Sequence, residues 1–445
     1  MTAEQLQTKK DEDAFRRAFV GKGSMAADPM QYLVNVYEHR ERFAFRDLSS
    51  DESAIPRVLT QTYDRHSKVA PAGRSSVVSR DEWLTNWNRF THSQFAGLDW
   101  RNVFVAGGSV LSSLSALSST AADSSSSSPS SSSSSTTDAA VDIDLFLYGL
   151  NAQQATRKVQ EIYDVISRNT NNTSGVLRTA NAITILGQYP YRHTQIILRL
   201  YDSPAEVLLG FDVDCCCVGF DGQNVYALPR AVRALNARYN LVDLSRRSTT
   251  YELRLFKYSK RGFCVMVPGL DRSRVPKALY TYQVKNVRGL AKLLLLDNIV
   301  TTQRIAMPQV VSKPPTRAAA AAAHISGAIV RTRDELNLDR ATEFDSGRER
   351  PNDQDDESDY SNVLVPWGPK WPVKLIIRML NTQDKSQFYA GQKRDSARHR
   401  HVFVSGIEGV LQGTSCWCSS CKAGNTPDAS LDGASFFVQG PIKWA

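Results

Sequence analysis

Two short stretches constrain this chain more than anything else in it: Val103-Phe-Val-Ala-Gly-Gly-Ser-Val110 and Val141-Asp-Ile-Asp-Leu-Phe-Leu-Tyr148. The first is an apolar run broken by Gly107-Gly108-Ser109, after which Val110, Leu111, Leu114 and Leu117 recur at helical spacing. That pattern predicts a strand turning tightly into a helix, with glycines where backbone must approach something closely. Amides freed at such a helix start favour anions, and the Ser109 hydroxyl adds a possible phosphate contact. In the second stretch Asp142 and Asp144 lie two apart, so a strand carries both on one face. Two carboxylates that close repel unless a divalent cation sits between them. Phosphoryl transfer uses such an arrangement, the metal bridging phosphate oxygens and steadying the attacking hydroxyl.

Gly108-Ser109 followed by Asp142-Ile-Asp144 resembles the G-[GS]…D-x-D signature of the polymerase-beta-like nucleotidyltransferase superfamily. The resemblance spans roughly residues 85–265 and implies a third carboxylate from a later strand. Gly210-Phe-Asp-Val-Asp-Cys-Cys-Cys-Val-Gly-Phe-Asp221 offers Asp212 and Asp214 for that role. Asp214 is favoured, because it sits deeper in the expected strand, where a carboxylate is held more rigidly. The family leaves on the order of ten residues between Gly-Ser and the first Asp; here the gap is about thirty, which reads as an inserted loop. The resemblance implies a mixed α/β sheet with packed helices and a metal-dependent transfer of a nucleotidyl group from a nucleoside triphosphate to a hydroxyl. Asp142, Asp144 and Asp214 would hold Mg²⁺ (or Mn²⁺), and Gly107, Gly108 and Ser109 would hold the triphosphate.

Composition sets the outer limits. The 445 residues can fill two or three cores, and a hydrophobic share of 42% is ordinary for a globular chain. No run of eighteen apolar residues predicts a membrane span, and the first residues lack an apolar signal core, so we expect an intracellular, cytoplasmic or nuclear protein rather than a secreted one. Seven cysteines, three of them consecutive at 215–217, make no disulfide pattern. A net charge of +9 suits RNA or another polyanion, although it is spread along the chain.

In chain order, residues 1–30 read as polar and frayed, and Tyr32, Leu33, Val36 and Tyr37 predict a helix over 30–45. Asp81–Phe90 reads as a helix capped by Ser79, with Trp83, Leu84, Trp87 and Phe90 inward. Ser124–Ser135, broken only by Pro129, cannot bury enough apolar area to order itself. Asn151 with Gln154 predicts a capped helix to Arg168, and three strand-like runs follow at 175–178, 182–187 and 195–201. Ser203-Pro204 opens a short helix that ends at Gly210. Further helices are expected at 229–238, 246–261 and 282–301. In the second of these Tyr251, Leu255 and Tyr258 face inward while Arg254, Lys257 and Arg261 share a basic face, a candidate for triphosphate or nucleic-acid contact.

Residues 302–362 read as a linker: Pro314-Pro315, an alanine run, then an acidic run. A small C-terminal segment would follow, with strands at 402–406 and 435–440. Within it Cys416, Cys418 and Cys421 have zinc-like spacing, with His399 or His401 available as a fourth ligand. A second C-x-x-C pair is absent and free thiols are the commoner state, so zinc is the lesser expectation. The expected organisation is an N-terminal region (1–79), a nucleotidyltransferase-like α/β core (80–300) with a disordered Ser-rich insertion near 118–138, a low-complexity linker (301–362) and a small α+β segment (363–445). Two alternatives stand beside the enzyme: a scaffold that keeps the fold without turnover, and a basic nucleic-acid-binding module.

Overall fold

The structure is a computed structural model. It describes the chain except for residues 21–29, 31, 62, 65–70, 120–141, 171–174, 179–181, 249, 285–286, 307–364, 366, 378–402, 406, 408–410 and 412–445. The Ser124–Ser135 run, residues 307–362 of the expected linker and Cys416, Cys418 and Cys421 with their neighbouring histidines therefore lie outside the described residues, as does the strand expected at 435–440; the first residues of the expected linker, to Ala306, are helical.

The architecture is mixed α/β. One sheet has nine strands: β1 (Val34–Asn35), β3 (Val103–Ala106), β4 (Ile143–Tyr148), β5 (Val176–Arg178), β6 (Ala182–Ile185), β7 (Thr194–Tyr201), β8 (Val218–Phe220), β9 (Val225–Ala227) and β12 (Phe403–Ser405). Their order is β1-β9-β8-β3-β4-β7-β6-β5-β12. A second sheet joins β10 (Tyr239–Leu241), β11 (Cys264–Met266) and β2 (Arg57–Val58). The longer helices are α1 (Ala3–Val20), α2 (Arg80–Thr91), α3 (Gly108–Leu114), α4 (Ala152–Thr170), α5 (Pro204–Leu209), α6 (Pro229–Ala237), α7 (Tyr251–Ser259) and α8 (Leu290–Ala306).

The central strand β3 is wholly apolar. All four residues of β3 are buried, and β3 pairs antiparallel with β4, placing Ala106 opposite Asp144. On its other side β4 runs parallel to β7, with Asp144 opposite Gln195. Helix α4 lays Ala155, Val159, Ile162 and Ile166 into the core, and its start carries the expected reciprocal cap: Asn151 Oδ1 accepts from Gln154 N–H while Gln154 Oε1 accepts from Asn151 N–H. Ser79 caps α2 as its position predicts, and Trp83 and Trp87 stack against each other inside.

Several expectations change, among them Leu84, which is exposed on α2 rather than turned inward. The polar N-terminus is an 18-residue helix, α1, whose polar residues are used inside: Glu12 and Arg16 are buried. Charged side chains that meet complementary partners across an interface read as surface when no partner is visible in sequence. The helix expected over 30–45 is instead strand β1 followed by a short 3₁₀ turn at Arg40–Arg42. The apolar spacing there serves an edge strand of two residues, too short to show its period. Asp212 and Asp214 do not ride a strand: Asp214–Cys216 is a 3₁₀ turn, and pairing resumes only at Val218. The helices expected from 246 and 282 begin later, at Tyr251 and Leu290.

The C-terminal part joins the core. Strand β12 pairs antiparallel with β5, and Val365, Val373 and Ile376 pack with Leu177 and Leu186 from the β5–β6 region.

Candidate functional site

Strand β3 ends where β4 and β7 begin, so one edge of the sheet collects the turn after β3, the first residues of β4 and the loop that enters β7. Gly107 makes the turn with φ +91°, and a β-carbon there would stand 3.2 Å from the Phe211 ring. A left-handed backbone and that close approach together require glycine. Its N–H donates to the Val218 carbonyl, 2.9 Å away, tying the turn to β8. Gly108 opens α3. Ser109 does not present its hydroxyl as the sequence suggested: the side chain is buried and Oγ has no hydrogen-bond partner. The helix turns residue 109 inward, where the apolar spacing of Val110, Leu111 and Leu114 already fixes the buried face.

Asp142 and Asp144 sit half-buried at the start of β4. Burial, and after it the charge of Asp142, push the Asp144 carboxyl from 3.8 up to about 7, while Lys257 and Arg254 pull it down. Burial also raises Asp142, against the lowering influence of His193, Lys257 and Arg192. Asp142 Oδ2 accepts a hydrogen bond from the Gln195 amide at 3.3 Å. Lys257 on α7 faces the same pair. Its side chain is open to solvent, yet desolvation and then Arg261 lower its ammonium, with Asp142 and Asp144 acting the other way. Exposure and desolvation together suit a side chain lying along a concave mouth. The turn that follows α7 reaches α3, where Arg261 Nη1 donates to Ser112 Oγ at 3.4 Å.

The third carboxylate is not assembled with the other two. Asp214, favoured from sequence, accepts from Arg233 Nη2 at 2.8 Å, Arg230 Nη1 at 3.3 Å and the Leu241 N–H at 3.0 Å. It binds α6 and β10 to the turn, and all its partners are buried protein groups. Asp212 accepts from Ser248 Oγ at 2.9 Å and from Arg254, a residue expected to meet the nucleotide. Arg254, the partner of Asp212, is also among the charges that lower the Asp144 carboxyl. Beside Asp144 on the neighbouring strand stands Gln195, a carboxamide. Among the described residues no three His, Cys, Asp or Glu side chains come together as a metal set. Cys215, Cys216 and Cys217 are buried free thiols, packed as expected but on the turn rather than on a strand.

Sequence reasoning missed the loop that enters β7. Its carbonyl at His193 accepts the Ile143 N–H at 3.0 Å, so it is fixed against the Asp pair. His193 Nδ1 accepts the Gly187 N–H at 3.0 Å, which puts the proton of a neutral ring on Nε2. An arginine and a histidine side by side in a loop carry no periodicity; only the register of β7 on β4 reveals that they flank Asp142.

Among the described residues no helix is long and apolar enough to cross a membrane. A family model described as Gabija anti-defense 2 family protein matches residues 81–238, which hold α2 through α6 and the Asp pair but not α7. An uncharacterized protein, R883, of Acanthamoeba polyphaga mimivirus is 40% identical over 149 residues, 30% of this chain and 33% of the relative. The chain thus spans about a third of the length of that curated relative. No solved structure matches. The nearest that similarity comes to an identity is a shared central third, the part of the chain that carries Gly107, Asp142 and Asp144.

Proposed function

We propose that the core transfers a nucleotidyl group from a nucleoside triphosphate to a hydroxyl, as a polymerase-beta-like nucleotidyltransferase does. The observation that carries this reading is the Asp142–Asp144 pair, set by strand register opposite the end of β3 and its Gly107 turn, with one carboxyl pushed up to about 7. A pair that holds a proton near neutrality is one that gains by exchanging it for a cation. Two carboxylates fit Mg²⁺ (or Mn²⁺), which keeps several waters and takes its remaining ligands from substrate phosphates. A cage of three carboxylates is not offered, since Asp214 is committed to Arg230 and Arg233.

Bound there, the metal would neutralise charge building on the α-phosphate and lower the cost of ionising the acceptor hydroxyl. The chain's own residues supply the rest. Asp142 and Asp144 fix the metal's position, and Gln195 holds Asp142 in orientation. Lys257 and Arg254 on α7, with Arg261 just after it, face the triphosphate, and the Gly107–Gly108 backbone lets it approach. The acceptor oxygen bonds to the α-phosphorus as the bond to the bridging oxygen breaks; pyrophosphate leaves and the hydroxyl proton passes to water.

Mg²⁺ with an NTP should raise the melting temperature of the wild type, and Asp142→Asn or Asp144→Asn should remove that gain without lowering the apo value. Radiolabelled NTPs with Mg²⁺ should then yield a labelled product. Gln195 beside the pair, together with the committed Asp214, favours a second reading, a fold that binds NTP without turning it over; a thermal gain with no product for any NTP would select it. The description of the matched family gives a setting, anti-defense. In cells carrying Gabija, wild type should relieve the defence and Asp144→Asn should not; equal relief by both would separate the relief from the Asp pair and count against both readings.

A further inference from the structure

The loop that enters β7 carries more than His193. Its Arg192 lies between two rings, its guanidinium carbon 4.4 Å from the Phe90 ring centre and 4.1 Å from that of Trp367. Gln94, fully buried, accepts the Arg192 N–H at Oε1 (3.2 Å) and donates to Thr194 Oγ1 at 2.7 Å, so the backbone is held as well. Trp367 is locked in turn, its Nε1–H donating to the Tyr191 carbonyl at 2.8 Å. Tyr189 leans on Trp367 with ring centres 5.2 Å apart, and it is 44% exposed. His92, exposed at the end of α2, meets Tyr191 edge-on and feels Arg192. Lys370, three residues past Trp367, is exposed too.

Three segments far apart in sequence therefore build one rim of rings and cations, and they build it on the Asp142 side of the site. Arg192 is among the charges that act on Asp142. The other side of the pair faces α7 and its own cations. A site walled by positive charge on two sides has room for two polyanions, and a triphosphate accounts for one. A polycationic acceptor would be repelled at the rim. Stacking rings beside a fixed guanidinium are the means by which proteins hold unpaired bases on a charged backbone.

We propose that the acceptor is a single-stranded polynucleotide whose terminal bases stack on Tyr189 beside Trp367 while Arg192 holds its phosphates. The word acceptor rests on the transfer reading above; the binding surface does not. Trp367 acts by holding Tyr189 and Arg192 in place, and so is a positioning residue.

A fluorescein-labelled single-stranded RNA dodecamer, titrated with the full chain and followed by anisotropy, tests it. The wild type should bind, Tyr189→Ala should bind about tenfold more weakly, and Tyr282→Ala, an exposed tyrosine elsewhere, should match wild type. Arg192→Gln should weaken binding and reduce the slope of log affinity against log salt by about one. Trp367→Phe should keep most of the affinity that Trp367→Ala loses. The proposal is overturned if wild type does not bind, if Tyr189→Ala binds normally, or if inorganic polyphosphate or a duplex of the same length competes as well as the single strand. Transfer of label from NTP to a polypeptide in preference to the RNA would overturn it equally. The thermal gain from Mg²⁺ and NTP is read in the same preparations: Tyr189→Ala should retain it. Its absence in the wild type counts against nucleotidyl transfer, whereas normal gain without RNA binding counts against the acceptor alone.

Discussion

Asp144 is the residue whose chemistry depends most on pH. Its carboxyl is raised from 3.8 to about 7, first by burial and then by Asp142. An acid raised on folding favours the fold while protonated, and that contribution fades as pH climbs from about 4 through about 7. The apo protein should lose stability over that window and level off above it. Asp144→Asn should melt like wild type at pH 4 and higher than wild type at pH 8, by roughly 1–2 kcal/mol once solvent access to the half-buried carboxylate is allowed for. Calorimetry at the two pH values checks this; equal melting at pH 8 counts against it. Mg²⁺ affinity should rise with pH up to about 7 in wild type and lose that dependence in the variant. At Gly107 the backbone itself is the constraint. Gly107→Ala puts a β-carbon 3.2 Å from Phe211 in a conformation L-residues avoid, and should cost about 1–3 kcal/mol in chemical denaturation.

Among the elements, α1 is held more by charge than any other. Glu12, fully buried, forms an ion pair with Arg230, whose Nε lies 3.1 Å away, and accepts a hydrogen bond from Arg246. Removing one partner of a buried network leaves the others uncompensated, so Glu12→Ala should cost about 3–5 kcal/mol, read by urea unfolding. A loss under 1 kcal/mol would mean that α1 docks by its apolar residues alone. None of this was visible in the sequence, because Glu12 and Arg16 look like any solvated helix surface until Arg230 and Arg246 are folded against them. The elements that were legible are those whose signal is local: the Ser79 and Asn151 caps, the apolar β3 run, and the stripe Ala155, Val159, Ile162 and Ile166. The Asp142–Asp144 spacing and the Gly107 turn were legible for the same reason. Asp214 misled because its surroundings, Val213 and Cys215, suggest a strand, whereas its neighbours in space are two arginines from α6. Arg192 and His193 were illegible because a loop has no period and their meaning comes from β7 lying parallel to β4.

At the scale of the molecule, the described C-terminal residues act as part of the core. Val365, Val373 and Ile376 cover Leu177 and Leu186, and β12 covers the edge of β5. A chain ended at residue 306 should uncover both leucines and lose roughly 3 kcal/mol or more, lowering the melting temperature by about 5–10 °C. An unchanged melting temperature would show that these contacts contribute little.

The docking of α1 also has a regular spacing. Gln5 meets Tyr239, Lys9 meets Asp243 and Glu12 meets Arg246, each partner 234 residues further on. On the ribosome α1 is made long before these three partners. At roughly 5–20 residues per second, its partners emerge some tens of seconds later. For that interval a helix with a carboxylate and a guanidinium meant for the interior waits in solvent, a target for proteases and chaperones. Until Tyr239, Asp243 and Arg246 are in place these three polar contacts of α1 cannot form, although Phe15 already lies against Tyr32 and Arg16 donates to the Leu209 carbonyl.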